Sequence, residues 1–208
     1  MQRLSGWVAM ISGTGSELVS ICNYLNILPD KLVFTNKLNI FLGNYHWFKY
    51  NDVDFVKETD DRNIFDKNDD FMQSVDKNTF FTLHGYMKII KPEVCDSFEG
   101  RIFNGHPGLI TKYPELKGKN PQKKAFDLNH NTIGSVIHKV TSKLDSGPII
   151  LEEEDFVGAH RSIGQFMVLS RLTSLKTWIR FFTEPHIYNV HFTWKPRSWK
   201  DNVIRAYL

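Results

Sequence analysis

The sequence predicts one α/β domain built on a mostly parallel, twisted sheet flanked by helices. Three observations carry this. Trp7-Val8-Ala9-Met10-Ile11 is a short apolar run. Ser12-Gly13-Thr14-Gly15-Ser16 follows it, and then Leu18, Val19, Ile21, Cys22 and Leu25 fall at helical spacing. Similar short runs recur at Lys31–Thr35, Thr79–His84 and Arg101–Phe103, each bounded by turn or loop residues. A long amphipathic segment, 162–182, supplies a helix to cover the sheet. The 208 residues suffice for one such domain with a real core. In a Rossmann-type sheet of this kind, sites lie at the carboxyl ends of the strands.

Each element has its own justification. The first run reads as a buried parallel strand because it does not alternate. The glycine turn after it lets the backbone approach a ligand, and a helix amino terminus favours an anion. The same residues also make an ordinary strand-to-helix turn. Glu17, in the first helical turn, suits the helix dipole and would repel a phosphate placed there. Residues 36–48, rich in aromatics and Asn, read as a loop and helix. The polar, acidic stretch 51–70 reads as mobile surface, with Arg62 inside a solvated charge run. Thr79–His84 enters Gly85, and Met87, Ile89 and Ile90 make an apolar loop ending at Pro92, a composition more often found in a core. Residues 112–120 read as a lysine-bearing loop, and Pro121 opens a short helix. Gly134–Val140 alternates like a strand, Ser146-Gly147-Pro148 turns the chain, and Leu151–Asp155 ends the paired strand. In the long helix, Ile163, Phe166, Met167, Leu169, Ser170, Thr173, Leu175, Trp178 and Ile179 mark the packed face. Residues 183–208 read as a C-terminal strand and basic tail on the same domain.

Composition narrows the function. The chain is 41% hydrophobic and 24% charged, ordinary for a globule, and its net charge of +3 suits small anionic substrates without implying nucleic acid. Cys22 and Cys95 make neither a disulfide framework nor a metal quartet, so no metal is expected and a reduced cytoplasmic setting is. No apolar run is long enough to span a bilayer, and no membrane partner is expected.

The residues with chemistry cluster in two places. Asn104 and His106 stand two apart at the end of a strand that Pro107-Gly108 interrupts, so they share a face. Asp145 sits in Leu144-Asp145-Ser146-Gly147-Pro148, after the alternating strand. One sheet can bring all three to one rim. An amide and a cationic imidazole can donate to a developing oxyanion. A neighbouring carboxylate raises an imidazole pKa, and the ring then exchanges protons near neutrality. No G-x-S-x-G elbow and no cysteine with a base nearby offers a covalent nucleophile.

The ordered set of motifs resembles the folate-dependent formyltransferases over about residues 7 to 180. Phe103-Asn104-Gly105-His106-Pro107-Gly108-Leu109-Ile110-Thr111-Lys112-Tyr113 is similar to N-x-H-P-S-L-L-P-K-Y, and Leu83-His84-Gly85-Tyr86-Met87-Lys88-Ile89-Ile90 to L-A-G-F-M-R-I-L. Ile11-Ser12-Gly13-Thr14-Gly15-Ser16-Glu17-Leu18 resembles I-S-G-N-G-S-N-L of the glycinamide ribonucleotide branch. The resemblance implies formyl transfer from 10-formyltetrahydrofolate as cosubstrate to a primary amine, with Asn104, His106 and Asp145 catalytic. It implies a folate pocket lined by Arg62, Met87, Lys88, Ile89, Ile90, Asn104, Val140, Thr141, Ser142, Lys143 and Leu144. The phosphate-bearing acceptor would then meet Gly13, Thr14, Gly15, Ser16, Glu17, Gly85, Pro107 and Arg171. Two departures stand out: Glu17 replaces an Asn, and Arg171 stands where the branch carries a ribose-gripping Glu. A nucleotide-linked aminosugar acceptor and a silent folate- or nucleotide-binding module are the alternatives. A homodimer is compatible with all of them.

Overall fold

A computed structural model describes residues 1–35, 42–158 and 162–184. Seven strands form one sheet in the order β3-β2-β1-β4-β5-β6-β7. They are β1 (Gln2–Ile11), β2 (Ile27–Thr35), β3 (Asp54–Glu58), β4 (Phe80–His84), β5 (Ile102–His106), β6 (Thr132–Lys139) and β7 (Ile149–Phe156). The first five are parallel, and β6 and β7 add antiparallel to β5 and to each other. The strand order reverses between β1 and β4, which opens a crevice at their carboxyl ends.

The helices are α1 (Ser16–Leu25), α2 (Leu42–Tyr50), α3 (Asp70–Gln73), α4 (Pro92–Ser97), α5 (Pro121–Asp127) and α6 (Ile163–Thr183). β1 is buried on both faces. Trp7, Ala9 and Ile11 pack in the layer that holds Trp178, Phe181 and Phe182, and Val8 and Met10 in the layer that holds Phe71, Phe81 and Phe98. β1 also starts earlier than its apolar run. Its first residues pair with Ile27–Pro29, and a register shift separates them from the second half. Gly6 lies in that shift at φ +78, where an added Cβ would stand 2.9 Å from the Asn78 carbonyl oxygen.

Three readings change. The stretch 51–70 is not all mobile surface: Asp54–Glu58 pairs with Lys31–Thr35 as the edge strand β3, because a charged edge needs only one buried face. The 86–90 loop is only partly core, since Ile90 is buried while Met87 and Ile89 are exposed. The packed face of α6 differs from the expected one at its start and gains two hydroxyls. Ile163 and Met167 are exposed; Phe166, Ser170, Thr173 and Trp178 are buried as expected, and Ser174 and Thr177 are buried with them. These hydroxyl side chains are small enough for close approach, and three of them donate hydrogen bonds. Thr173 donates to Asp155 (2.7 Å), Thr177 to the Thr173 carbonyl (2.8 Å), and Ser174 to Glu17 (2.6 Å). A capping box between Ser162 and Gln165 starts α6. Residues 36–41 of the expected loop and the tail from 185 lie outside the described residues.

Candidate active site

β5 runs through Asn104 and His106 before Pro107 ends it, so strand alternation sets both on one face as the spacing predicts. Antiparallel pairing puts His138 of β6 directly opposite Asn104. Their side chains meet, with Asn104 Nδ2 3.2 Å from His138 Nε2. The His138 Nδ1–H donates to the Lys139 carbonyl at 2.9 Å, so Nε2 is the nitrogen that faces the rim.

Asp145 follows β6 in a left-handed turn at φ 46. Asp and Asn are among the few residues that visit this region readily. Its carboxylate lies between the two histidines, with Oδ1 3.6 Å from His138 Nε2 and Oδ2 3.6 Å from His106 Nδ1. The Gly118 amide donates to Oδ2 at 2.9 Å. The neighbouring His138 ring, the hydrogen bond from the Gly118 amide and the charge that His106 takes on at low pH outweigh burial and bring its pKa down to about 2. Asn104, His106 and Asp145 therefore form one cluster, joined through His138. The sequence reading gave His138 no role. Its sequence signals are its place in an alternating strand and in Val136-Ile137-His138-Lys139-Val140, a stretch that continues the formyltransferase-like motifs, and its partner is fixed by the β5–β6 register.

His106 departs from the expected electrostatics. Asp145 pulls its pKa up, but burial is the larger effect and the net direction is down. The ring is 5% exposed, and its Nε2 lies 2.9 Å from the Leu116 carbonyl. A carbonyl only accepts, so Nε2 carries a hydrogen. The neutral ring then turns a bare Nδ1 toward Asp145, where an arriving proton would form an ion pair. Segment 113–118 thus covers the rim through Leu116 and Gly118.

The residues assigned to a folate pocket divide into two groups. Met87 (65% exposed), Ile89 (81%) and Leu144 (64%) are apolar side chains facing solvent. Ser142 and Lys143 are exposed beside them, and Val140 and Thr141 half-buried. Ile90 packs inward, and Tyr86 beside it donates to Glu58 at 2.5 Å. Lys88 bonds the Thr59 carbonyl at 3.3 Å and lies 3.6 Å from both Glu58 and Asp60. Arg62 is engaged within the protein. Its fork holds both oxygens of Asp69 at 2.7 Å, and Nη1 donates to the Lys57 carbonyl.

At the other candidate subsite, Gly15 caps α1 at φ 72. Asn44 of α2, another residue the sequence did not single out, donates to the Thr14 carbonyl (2.8 Å) and to Ser16 Oγ (2.9 Å). Gly13 has open space around its Cβ position, as does Gly85. Pro107 is half-buried. Glu17 does not stand as a free anion at this loop: its Oε2 lies 3.3 Å from His84 Nδ1, and its Oε1 accepts from Ser174. Burial works against its charge, yet His84, Ser174 and the Arg171 cation hold the carboxyl below the usual range. Arg171 is exposed on α6.

Comparison with known proteins decides the family. The sequence matches the formyl transferase family over residues 7–173. The chain belongs to the formyl transferase family. Among its relatives, the phosphoribosylglycinamide formyltransferase of Haemophilus influenzae is 28% identical over 185 residues, covering 84% of this chain and 85% of that protein. The mitochondrial formyltetrahydrofolate deformylase 1 of Arabidopsis thaliana is 32% identical over 122 residues, covering 59% of this chain and 35% of that longer protein. In fold, the chain superposes on the phosphoribosylglycinamide formyltransferase of Streptococcus pneumoniae with a TM-score of 0.69 at 20% identity, covering 89% of this chain and 99% of that one. The formyl transferase fold here is the expected α/β domain. Among the described residues, no group of three or more His, Cys, Asp or Glu could hold a metal ion, and no helix is long and apolar enough to cross a membrane.

Proposed function

We propose that this chain transfers the formyl group of 10-formyltetrahydrofolate to a primary amine on a phosphorylated small molecule of the glycinamide ribonucleotide type. The carrying observation is the joined rim, in which Asp145 lies 3.6 Å from both His106 and His138 and Asn104 contacts His138. In this reading the amine nitrogen attacks the formyl carbon directly. The carbonyl electron pair moves to oxygen, and Asn104 and His106 donate to that oxyanion. Collapse breaks the bond to the folate nitrogen, which keeps the electron pair and takes a proton. The acceptor nitrogen loses one. His106 starts neutral, so it takes a proton before it gives one, and Asp145 stabilises the charged ring. For His106 Nε2 to reach a substrate, the Leu116 carbonyl has to leave it.

Met87, Ile89 and Leu144 would cover the folate ring with apolar surface. The Gly13–Ser16 turn and Pro107 would meet the acceptor, with Arg171 as a cation at its edge. Lys88 and Arg62 act in this reading through the loops they hold, not by touching the folate. The whole chain is taken as one catalytic domain.

A second reading, hydrolysis of the same donor with water as acceptor, draws on the deformylase relative, whose identity to this chain is the higher of the two. One assay separates them. Purified protein is given 10-formyltetrahydrofolate with glycinamide ribonucleotide, with a dTDP-linked aminosugar, or with no amine. Formylation of the ribonucleotide supports the proposal. Formate release without an amine selects hydrolysis. Faster turnover of the sugar selects that acceptor, and no turnover in any arm refutes enzymatic formyl transfer.

A further inference from the structure

We propose, on the reading that this chain transfers a formyl group, that Glu17, His84 and Trp178 are positioning residues, a buried brace that fixes the Asn104–His106 rim against the amino terminus of α1. The brace begins at Thr82, whose hydroxyl accepts the Trp7 indole N–H at 2.8 Å and lies 2.9 Å from His84 Nε2. His84 turns Nδ1 toward Glu17, and Ser174 bonds the far oxygen of that carboxylate. A glutamate, a histidine and a threonine in this order have the connectivity of a nucleophile triad. Thr82 is fully buried and its oxygen is already taken by Trp7, so nothing can reach it and the array has no nucleophile.

What the array touches is the catalytic strand. The His84 ring lies against Trp178, with centroids 4.2 Å apart. Trp178 is fully buried and presses on Gly105, the residue between Asn104 and His106. A Cβ built on Gly105 would stand 2.5 Å from the indole nitrogen and 2.8 Å from two ring carbons. Among the described residues the indole N–H has no hydrogen-bond partner. Burying it without one is unfavourable, and a phenylalanine would avoid that cost. The larger ring instead fills the space behind Gly105. Ser174 and Trp178 are one helical turn apart on α6, so the same helix grips Glu17 of α1 and backs β5. His84 is also the last residue of β4, next to Gly85 and the 86–90 loop. Both candidate subsites therefore share one rigid support with the rim. Among the described residues no hydrogen bond or ion pair joins these three side chains to Asn104 or His106; the brace acts through the backbone of Gly105.

The test uses the full chain as Glu17→Gln, which keeps shape and removes charge, and as Trp178→Phe. Three measurements are made: the kinetics of formyl transfer to glycinamide ribonucleotide (kcat and KM), the melting temperature, and the imidazole ¹⁵N resonances of His106 without substrate. A small misplacement of reacting groups is costly, so Trp178→Phe should lower kcat by roughly 10- to 100-fold. KM for the folate donor should stay within about twofold. In folded protein, the His106 ring resonances should move in both variants. If Trp178→Phe does not fold, Glu17→Gln carries the test alone. Unmoved His106 resonances, or a KM that rises in step with any loss of kcat, overturn the proposal. If the wild-type protein transfers no formyl group, the reading of function fails, and the resonances alone decide the brace.

Discussion

Asp145→Asn removes a charge from the centre of the rim and keeps the side chain's shape. The folded environment lowers this carboxyl from an ordinary 3.8 to about 2, first through the His138 ring beside it and then through the Gly118 amide and the charge that His106 takes on at low pH. A shift of that size corresponds to about 2 kcal/mol of preference for the ionised form in the folded state. Its sign is that of a depressed acid. The stabilisation is present in full above the unfolded-state value near 4 and is lost as pH falls toward 2. Urea unfolding just above pH 4 should therefore find the variant less stable by about 2 kcal/mol. The gap to wild type should close as pH falls from 4 to 2. A ¹³C titration of the Asp145 carboxyl gives the same quantity directly. A carboxyl that titrates near 4, or a stability gap that does not change with pH, would refute the view that the two histidines and the Gly118 amide hold this charge.

Other consequences can be measured with the same protein. His106→Ala and Asn104→Ala should each lower kcat by roughly 10²- to 10³-fold, the scale of losing an oxyanion donor, with donor affinity nearly unchanged. Near-normal kcat in His106→Ala would reduce the rim to a structural turn. Replacing both exposed loop residues, Met87→Ser with Ile89→Ser, should raise the donor KM by about tenfold through lost apolar contact. Thermal stability should barely change, because neither side chain packs in the core; a large drop in melting temperature would contradict their exposure. Gly147→Ala should destabilise by about 1–3 kcal/mol, since its Cβ would meet the Lys139 carbonyl oxygen at 1.8 Å in the turn that carries Asp145. A neutral effect there would mean that the turn has slack.

The sequence by itself determined the α/β class, the central strands with the helices α1, α5 and α6, and the three residues of the rim. Each of these is written locally. A non-alternating apolar run marks the buried β1, Pro107 stops β5 straight after His106, and spacing by two sets Asn104 and His106 on one face. Only tertiary structure decided what those residues touch. His138 joined the site through the antiparallel register of β6 on β5, a pairing between residues far apart in the chain. The net fall of the His106 pKa came from burial beneath segment 113–118, whereas the sequence displays only the neighbouring carboxylate. Glu17 read as a charge repelling an anion because nothing near it in sequence offers a partner. Folding brings it His84 from β4 and Ser174 from α6. Strand period and turn chemistry depend on neighbours along the chain and can be read there. Desolvation and charge pairing depend on neighbours in space, and only the packed sheet supplies those.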